Sequence, residues 1–230
     1  MLEYPLNPAL LKTSENASGA DNQQGSFRHV RVANNPSETT RRASFDSNVS
    51  KAVAIAYLQG ALGDGTFNTL HHTYRIGQKE IEWLERLQQL LSVVGYRSWM
   101  YREGQTRAFH ILETTAKVLS QVFNPETLNT EAEQIAYIRG YFDAEGGIPQ
   151  RGDARFYVQF VQKNRRSLER VRRLLEGLEI ACGQLHNPSV RVDPHYWRFF
   201  VRAQSHRGFI QTIGSWHPRK AALLHERMMI

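Results

Sequence analysis

The chain has 230 residues and a formal charge of +7, enough for one or two compact domains and suited to polyanionic partners, nucleic acid first. A single cysteine, Cys182, excludes a disulfide framework or a cysteine metal site and fits a reducing compartment. No apolar run is long enough to span a bilayer and Met1 opens no signal-peptide pattern, so a soluble, cytoplasmic protein without a membrane partner is expected.

In chain order, residues 1–46 are rich in Asn, Ser, Thr, Gln and Gly and read as a flexible polar leader. From residue 47 a pattern begins that then repeats. A helix is expected over 50–63, a hairpin over 66–78, and a helix over 80–94 closed by Gly95. A second hairpin pairs 98–102 with 107–113, and 115–122 reads as a short helix. Thr130 with Glu133 forms a capping box that opens a helix reaching Ala144. The run Gln78-Lys79-Glu80 to Leu91 then recurs without a gap as Gln162-Lys163-Asn164 to Leu175, with identities at Gln, Lys, Leu, Glu, Arg, Leu and Leu. The reading is an α+β protein, a pseudo-two-fold duplication of an αββαββα unit over 47–128 and 129–230. Each unit has a four-stranded antiparallel sheet with helices on one face.

Both units open with a small-residue helix that ends in an acid followed by glycine, Gly60-Ala61-Leu62-Gly63-Asp64-Gly65 and Gly140-Tyr141-Phe142-Asp143-Ala144-Glu145-Gly146. Ala56 and Gly60, like Ala136 and Gly140, recur every four residues, so each helix has a nearly flat face that another backbone can approach closely. Packed together, the helices bring Asp64 and Glu145 to one end, where the macrodipole and mutual repulsion disfavour them unless a divalent cation neutralises the pair. The first copy is one residue shorter between the glycine and the small residue before the acid, Gly60 to Gly63 against Gly140 to Ala144. That change from i+4 to i+3 keeps the same helix face but shifts the acid.

Charge is uneven: from Arg151 to Ile230 fifteen Lys and Arg stand against six Asp and Glu. Arg155, Tyr157 and Gln159 alternate with Phe156, Val158 and Phe160, and Arg198 and Arg202 with Trp197, Phe199 and Val201. Apolar faces for helices and basic faces for a partner follow. Antiparallel ribbons fit the DNA major groove, and two sheets side by side form a DNA-binding saddle. Arg165, Arg166, Arg172 and Arg173 fit a solvated helix face equally well. No HExxH, Walker or GxSxG motif points to another chemistry.

With these motifs the chain resembles the LAGLIDADG homing endonucleases in their single-chain, two-motif form, over about residues 47–230. Ile138 to Gly146 matches the later motif closely, and Trp216-His217-Pro218-Arg219-Lys220 also looks like family members. The resemblance implies a metal-dependent, site-specific endonuclease of a mobile, intron-encoded or free-standing kind. It would act as a monomer on a long asymmetric double-stranded DNA site. It assigns Mg²⁺ to Asp64 and Glu145, with the carbonyls of Gly63 and Ala144 as further ligands. Gln78, Lys79, Gln162 and Lys163 would order water or stabilise charge; helix capping is the competing role for these four. DNA contacts fall on Thr73, Arg75, Arg107, Arg155, Tyr157, Gln159, Arg198 and Arg202. A DNA-binding regulator, or a maturase acting on intron RNA, is the alternative use of the same fold.

Overall fold

The computed structural model describes residues 49–104 and 108–228; the leader, Arg107 and the last two residues lie outside them. Helix α1 (Lys51–Ala61) starts where the Ser50 side chain accepts the Val53 N–H, and it passes into a 3-10 turn, Leu62–Asp64. Strands β1 (Gly65–Asn68) and β2 (Thr73–Gln78), helix α2 (Ile81–Val93), and strands β3 (Ser98–Arg102) and β4 (His110–Thr114) complete the first unit. Gly95 follows α2 at φ +90°, a left-handed conformation that glycine adopts without strain.

Helix α3 (Glu131–Glu145) opens with the expected capping box, in which Thr130 accepts the Glu133 N–H and Glu133 reaches back to the Thr130 N–H. Strands β5 (Gly146–Gly147) and β6 (Gln159–Gln162), helix α4 (Arg165–Gly177), strand β7 (Trp197–Phe200), and helices α5 (His206–Thr212) and α6 (Pro218–Met228) follow.

The fold is mixed α+β with two antiparallel sheets, ordered β1-β2-β4-β3 and β5-β6-β7. Helix α2 packs on the first sheet and α4 on the second; Trp83, Leu84, Leu87 and Leu91 of α2 and Leu168, Val171 and Leu175 of α4 are buried. The recurring sequence run thus recurs in space, since α2 follows Gln78 as α4 follows Gln162.

Two expectations are corrected. The second sheet has three strands in place of the expected four, and residues 182–186 join its β7 edge only through isolated bridges. Cys182 bridges Val201 but His186 bridges Arg198, so the register slips by one between them, and the bulge leaves isolated bridges in place of a ladder. Residues 115–122 do not form a helix. The Ser120 peptide is instead held by Gln59, whose amide donates to Ser120 O and accepts the Ser120 N–H at 3.0 Å.

Helices α1 and α3 pack on each other at the centre of the molecule. A Cβ on Gly60 would lie 2.1 Å from the Tyr137 carbonyl oxygen, and one on Gly140 would lie 2.1 Å from that of Tyr57. Ala56 and Ala136 are 1% exposed in the same interface. The contact repeats at a spacing of eighty residues on both helices, which is the pseudo-two-fold relation seen at atomic scale.

Candidate metal centre and nucleic-acid interface

The helix pair brings the two motif ends together. A Cβ on Gly63 would stand 3.1 Å from Glu145 Cγ and 3.4 Å from its Oε1, so the later acid lies against the backbone just before Asp64. The side chain of Asp64 itself is outside the described residues. The shorter first motif meets the longer one because its last turn is 3-10: three residues at about 2.0 Å rise advance as far, about 6 Å, as four α-helical residues at 1.5 Å. The two ends differ in rotation by about 40° on the same reckoning, so they match in height more closely than in direction.

Gln162 holds Glu145. Its Nε2 donates to Glu145 Oε1 at 2.6 Å, and its Oε1 accepts the Lys163 N–H at 2.7 Å, which fixes the amide's orientation. Asn164, not Gln162 or Lys163, caps α4, by accepting the Ser167 N–H at 3.2 Å. Strand register puts Gln78 in the equivalent place: Gly65 pairs with Ile76 as Gly146 pairs with Phe160, two residues before each glutamine. Lys79 and Lys163 are exposed beside them. A polar cavity of about 270 Å³ adjoins the centre, lined by Gly63, Gly65, Gln162, Asn164 and Ser167 among others.

Four features escaped the sequence reading. Lys220 closes the C-terminal end of α3, its ammonium donating to the carbonyls of Phe142 (2.7 Å), Asp143 (2.8 Å) and Gly146 (2.7 Å). This is positive charge where the helix dipole and Glu145 call for it. Asp143, 1% exposed, accepts from Tyr57 Oη at 2.6 Å, from the Ser215 hydroxyl, and from the N–H groups of Trp216 (2.9 Å) and His217 (3.1 Å). Burial pushes its carboxyl above the usual carboxylate range, against these hydrogen bonds, which pull it down. Tyr57 accepts from Trp83 Nε1 at 3.0 Å, so one buried polar chain joins both units. Third, Arg139 donates to the carbonyls of Ile213 and Thr212 and stacks on Trp216, 4.8 Å from its ring centre. It is the counterpart, eighty residues on, of Gln59 on Ser120. The fourth is Glu113, under Arg75. A signal for the Lys220 segment was present: Phe123-Asn124-Pro125-Glu126-Thr127 parallels Trp216-His217-Pro218-Arg219-Lys220. Phe123 packs on Tyr137 at 5.6 Å as Trp216 packs on Tyr57 at 4.6 Å.

The expected DNA-facing residues are less uniform. Thr73 and Arg75 share the outer face of the first sheet with the exposed Trp99 and Tyr101, but Thr73 is buried and donates to Glu113. On the second sheet Gln159, Arg198 and Phe200 face outward, with Tyr157 edge-on to Phe200 and Arg198 5.2 Å above its ring centre. Arg155 is exposed beside Phe156 and Tyr157. Arg202 turns to the sheet edge, where its Nε donates to the Cys182 carbonyl at 3.1 Å in a hollow that Glu176 and Glu179 also line.

Two sheets flanking a glycine-packed helix pair that ends in acids define the LAGLIDADG class of fold. A family model for a LAGLIDADG-like domain matches residues 132–195. A structure of mesophilic variants of the homing endonuclease I-DmoI aligns with a TM-score of 0.59 at 20% identity, covering 77% of this chain and 100% of that one. I-DmoI in complex with DNA and Mn aligns at 0.55 and 22%, covering 72% and 98%. The N-terminal LAGLIDADG domain of DUF199/WhiA aligns at 0.57 and 14%, covering 72% and 83%. At such identities the likeness is one of fold. No curated protein matches the sequence. Residues 132–195 thus match a LAGLIDADG-like domain, and the chain shares the LAGLIDADG fold.

Proposed function

We propose that the protein is a site-specific endonuclease that hydrolyses both strands of a long asymmetric DNA site, working as a monomer in which residues 47–128 and 129–230 each supply one motif. The observation that carries this reading is the placement of the Glu145 carboxylate against Gly63, which joins the two motif ends in one centre. The donor set there is all oxygen, with Glu145 and the carbonyls of Gly63 and Ala144, and Asp64 as the further acid; it fits a hard divalent cation such as Mg²⁺. I-DmoI, of the same fold, has been solved with DNA and Mn and with DNA and Ca.

Phosphodiester hydrolysis needs a water oxygen in line with the departing oxygen and relief of negative charge on phosphorus. A bound divalent cation supplies that relief and makes its water more acidic. The chain's own residues do the rest. Gln162 holds Glu145 in one orientation, and Gln78 takes the equivalent position in the first unit. Lys79 and Lys163, exposed at the strand ends, meet the phosphates, while the adjoining polar cavity holds ordered water. The second sheet's Arg155, Tyr157, Gln159 and Arg198 follow the groove. We place the gene in an intron or a free-standing mobile element, and the product in the cytoplasm.

The shortened first motif favours one competing reading, a DNA-binding regulator that does not cut, since a 3-10 ending rotates Asp64 away from strict symmetry. Supercoiled plasmids carrying targets selected by binding decide between them. Linear product that forms with Mg²⁺ and disappears with EDTA supports the nuclease. Tight binding of the same targets with no cleavage under any divalent cation would establish the regulator. Preference for structured RNA over every duplex would point to a maturase.

A further inference from the structure

The two helix ends at the centre are finished differently. At the end of α3 the Lys220 ammonium meets three carbonyl oxygens, those of Phe142 (2.7 Å), Asp143 (2.8 Å) and Gly146 (2.7 Å). Counted from Gly60 and Gly140, Leu62 stands where Phe142 stands, and Gly65 follows its acid as Gly146 does. The parallel between Phe123–Thr127 and Trp216–Lys220 puts Thr127 in the place of the lysine. Thr127 is exposed, and its hydroxyl donates to the Asn124 carbonyl at 2.7 Å, within its own turn. Asp143 has no counterpart in the shorter first motif either. Its carboxylate faces the Ser215-to-His217 loop, however, so what the first unit lacks at the carbonyls is a cationic side chain.

The cavity of about 270 Å³ is the matching space. In the second unit Phe142 and Gly146 touch Lys220, and Tyr57 and Trp216 touch Asp143 beside it. Their counterparts in the first unit, Leu62, Gly65, Tyr137 and Phe123, all line the cavity. Among the described residues no charged side chain lines it, and its polar side chains are amides and hydroxyls such as Gln59, Gln121 and Asn164. The Gly65 carbonyl accepts a long bond there, from Gln121 Nε2 at 3.5 Å. Glu145 lies against Gly63 in the cavity wall, so the carboxylate and the helix end both make the field negative. Such a space favours a cation. Neutral oxygen donors can replace the water shell of a weakly hydrated monovalent ion, whereas a divalent ion is drawn to carboxylates. We propose that this cavity binds a monovalent cation of the size of potassium or ammonium, which does at the end of α1 what the Lys220 ammonium does at the end of α3. The inference goes beyond the nuclease reading and stands apart from it, since it concerns the folded chain without DNA.

Thermal melts of the full chain in EDTA, at fixed ionic strength in potassium, sodium or choline chloride, test it. Potassium is expected to raise Tm over choline in a saturating way, by about 3 to 6 °C at roughly ten times its Kd. Q121K sets an ammonium on the residue that already reaches Gly65, and T127K sets one at the position of Lys220. At least one of the two is expected to lift Tm in choline and to lose the response to potassium, because its ammonium takes the cation's place. In crystals soaked in rubidium chloride, an anomalous scattering peak is expected inside the cavity. Equal Tm in all three salts, a response linear in potassium concentration, or a response that persists in both variants overturns the proposal. So does a rubidium peak confined to the pair of acids or to the protein surface, or the lack of any peak.

Discussion

Gly140 sits so close to the carbonyl of Tyr57 that a Cβ would lie 2.1 Å from the oxygen and 2.9 Å from the Ala61 nitrogen. These are backbone atoms of a packed helix and cannot swing aside. G140A is therefore expected to push the two helices apart and to cost at least about 1 to 3 kcal/mol, while G140L abolishes the folded state. The mirror variant G60A should do the same against Tyr137. Thermal melts of the pair check this, whereas G152A, on an open loop with nothing within 4 Å, serves as the neutral control.

Lys220 offers a second test. Its three bonds gather the carbonyls of Phe142, Asp143 and Gly146 at the end of α3, of which Phe142 also accepts the Gly146 N–H. K220M should cost about 2 to 3 kcal/mol and lower Tm by roughly 5 to 10 °C. K220R should recover only part of the loss, because a planar fork cannot reproduce three contacts to a single ammonium. Differential scanning calorimetry of the three proteins reads this directly.

His217, 4% exposed against Trp83, has its pKa pushed down to about 4 by burial first and by Lys220 beside it. In the unfolded chain it titrates near 6.5, so between pH 6.5 and 4 the unfolded state binds the extra proton. The stability that the neutral ring allows is thus present above pH 6.5 and is lost as pH falls toward 4, by on the order of 3 kcal/mol at most. Asp143, with a raised carboxyl, acts in the opposite sense in acid, so the measurement is a difference: urea midpoints of wild type minus H217Q across pH 4 to 7. A difference that does not vary with pH contradicts the assignment.

Much of this was legible in the sequence because it is periodic or repeated. The small residues at Ala56, Gly60, Ala136 and Gly140 fix the helix contact, and the Gln-Lys runs fix the duplication. The acid-glycine endings mark where the two helices close on each other. What was not legible depends on contacts between distant segments. Lys220 is one of six lysines, with nothing to single it out until α6 folds it onto α3, seventy-odd residues away. Asp143 looks like a neighbour of Glu145 and instead faces the opposite way, into the Ser215-to-His217 loop. Arg75 reads as one more basic strand residue until strand pairing sets Glu113 beside it. The bulge at 182–186 has no signature in the alternation, since a single extra residue shifts register without changing composition.

The claim at the centre of this account is that Glu145 and Asp64 serve the chemistry and not the grip on DNA. Its most direct measurement is one target duplex, bound in Ca²⁺ and then challenged with Mg²⁺, for wild type, D64N and E145Q. Both variants should bind the duplex as tightly as wild type or slightly more so, since each removes a negative charge facing phosphate, and both should lose cleavage by at least about 100-fold, in keeping with loss of metal-borne charge stabilisation. Retained cleavage in E145Q, or binding lost in step with cleavage, would contradict the account.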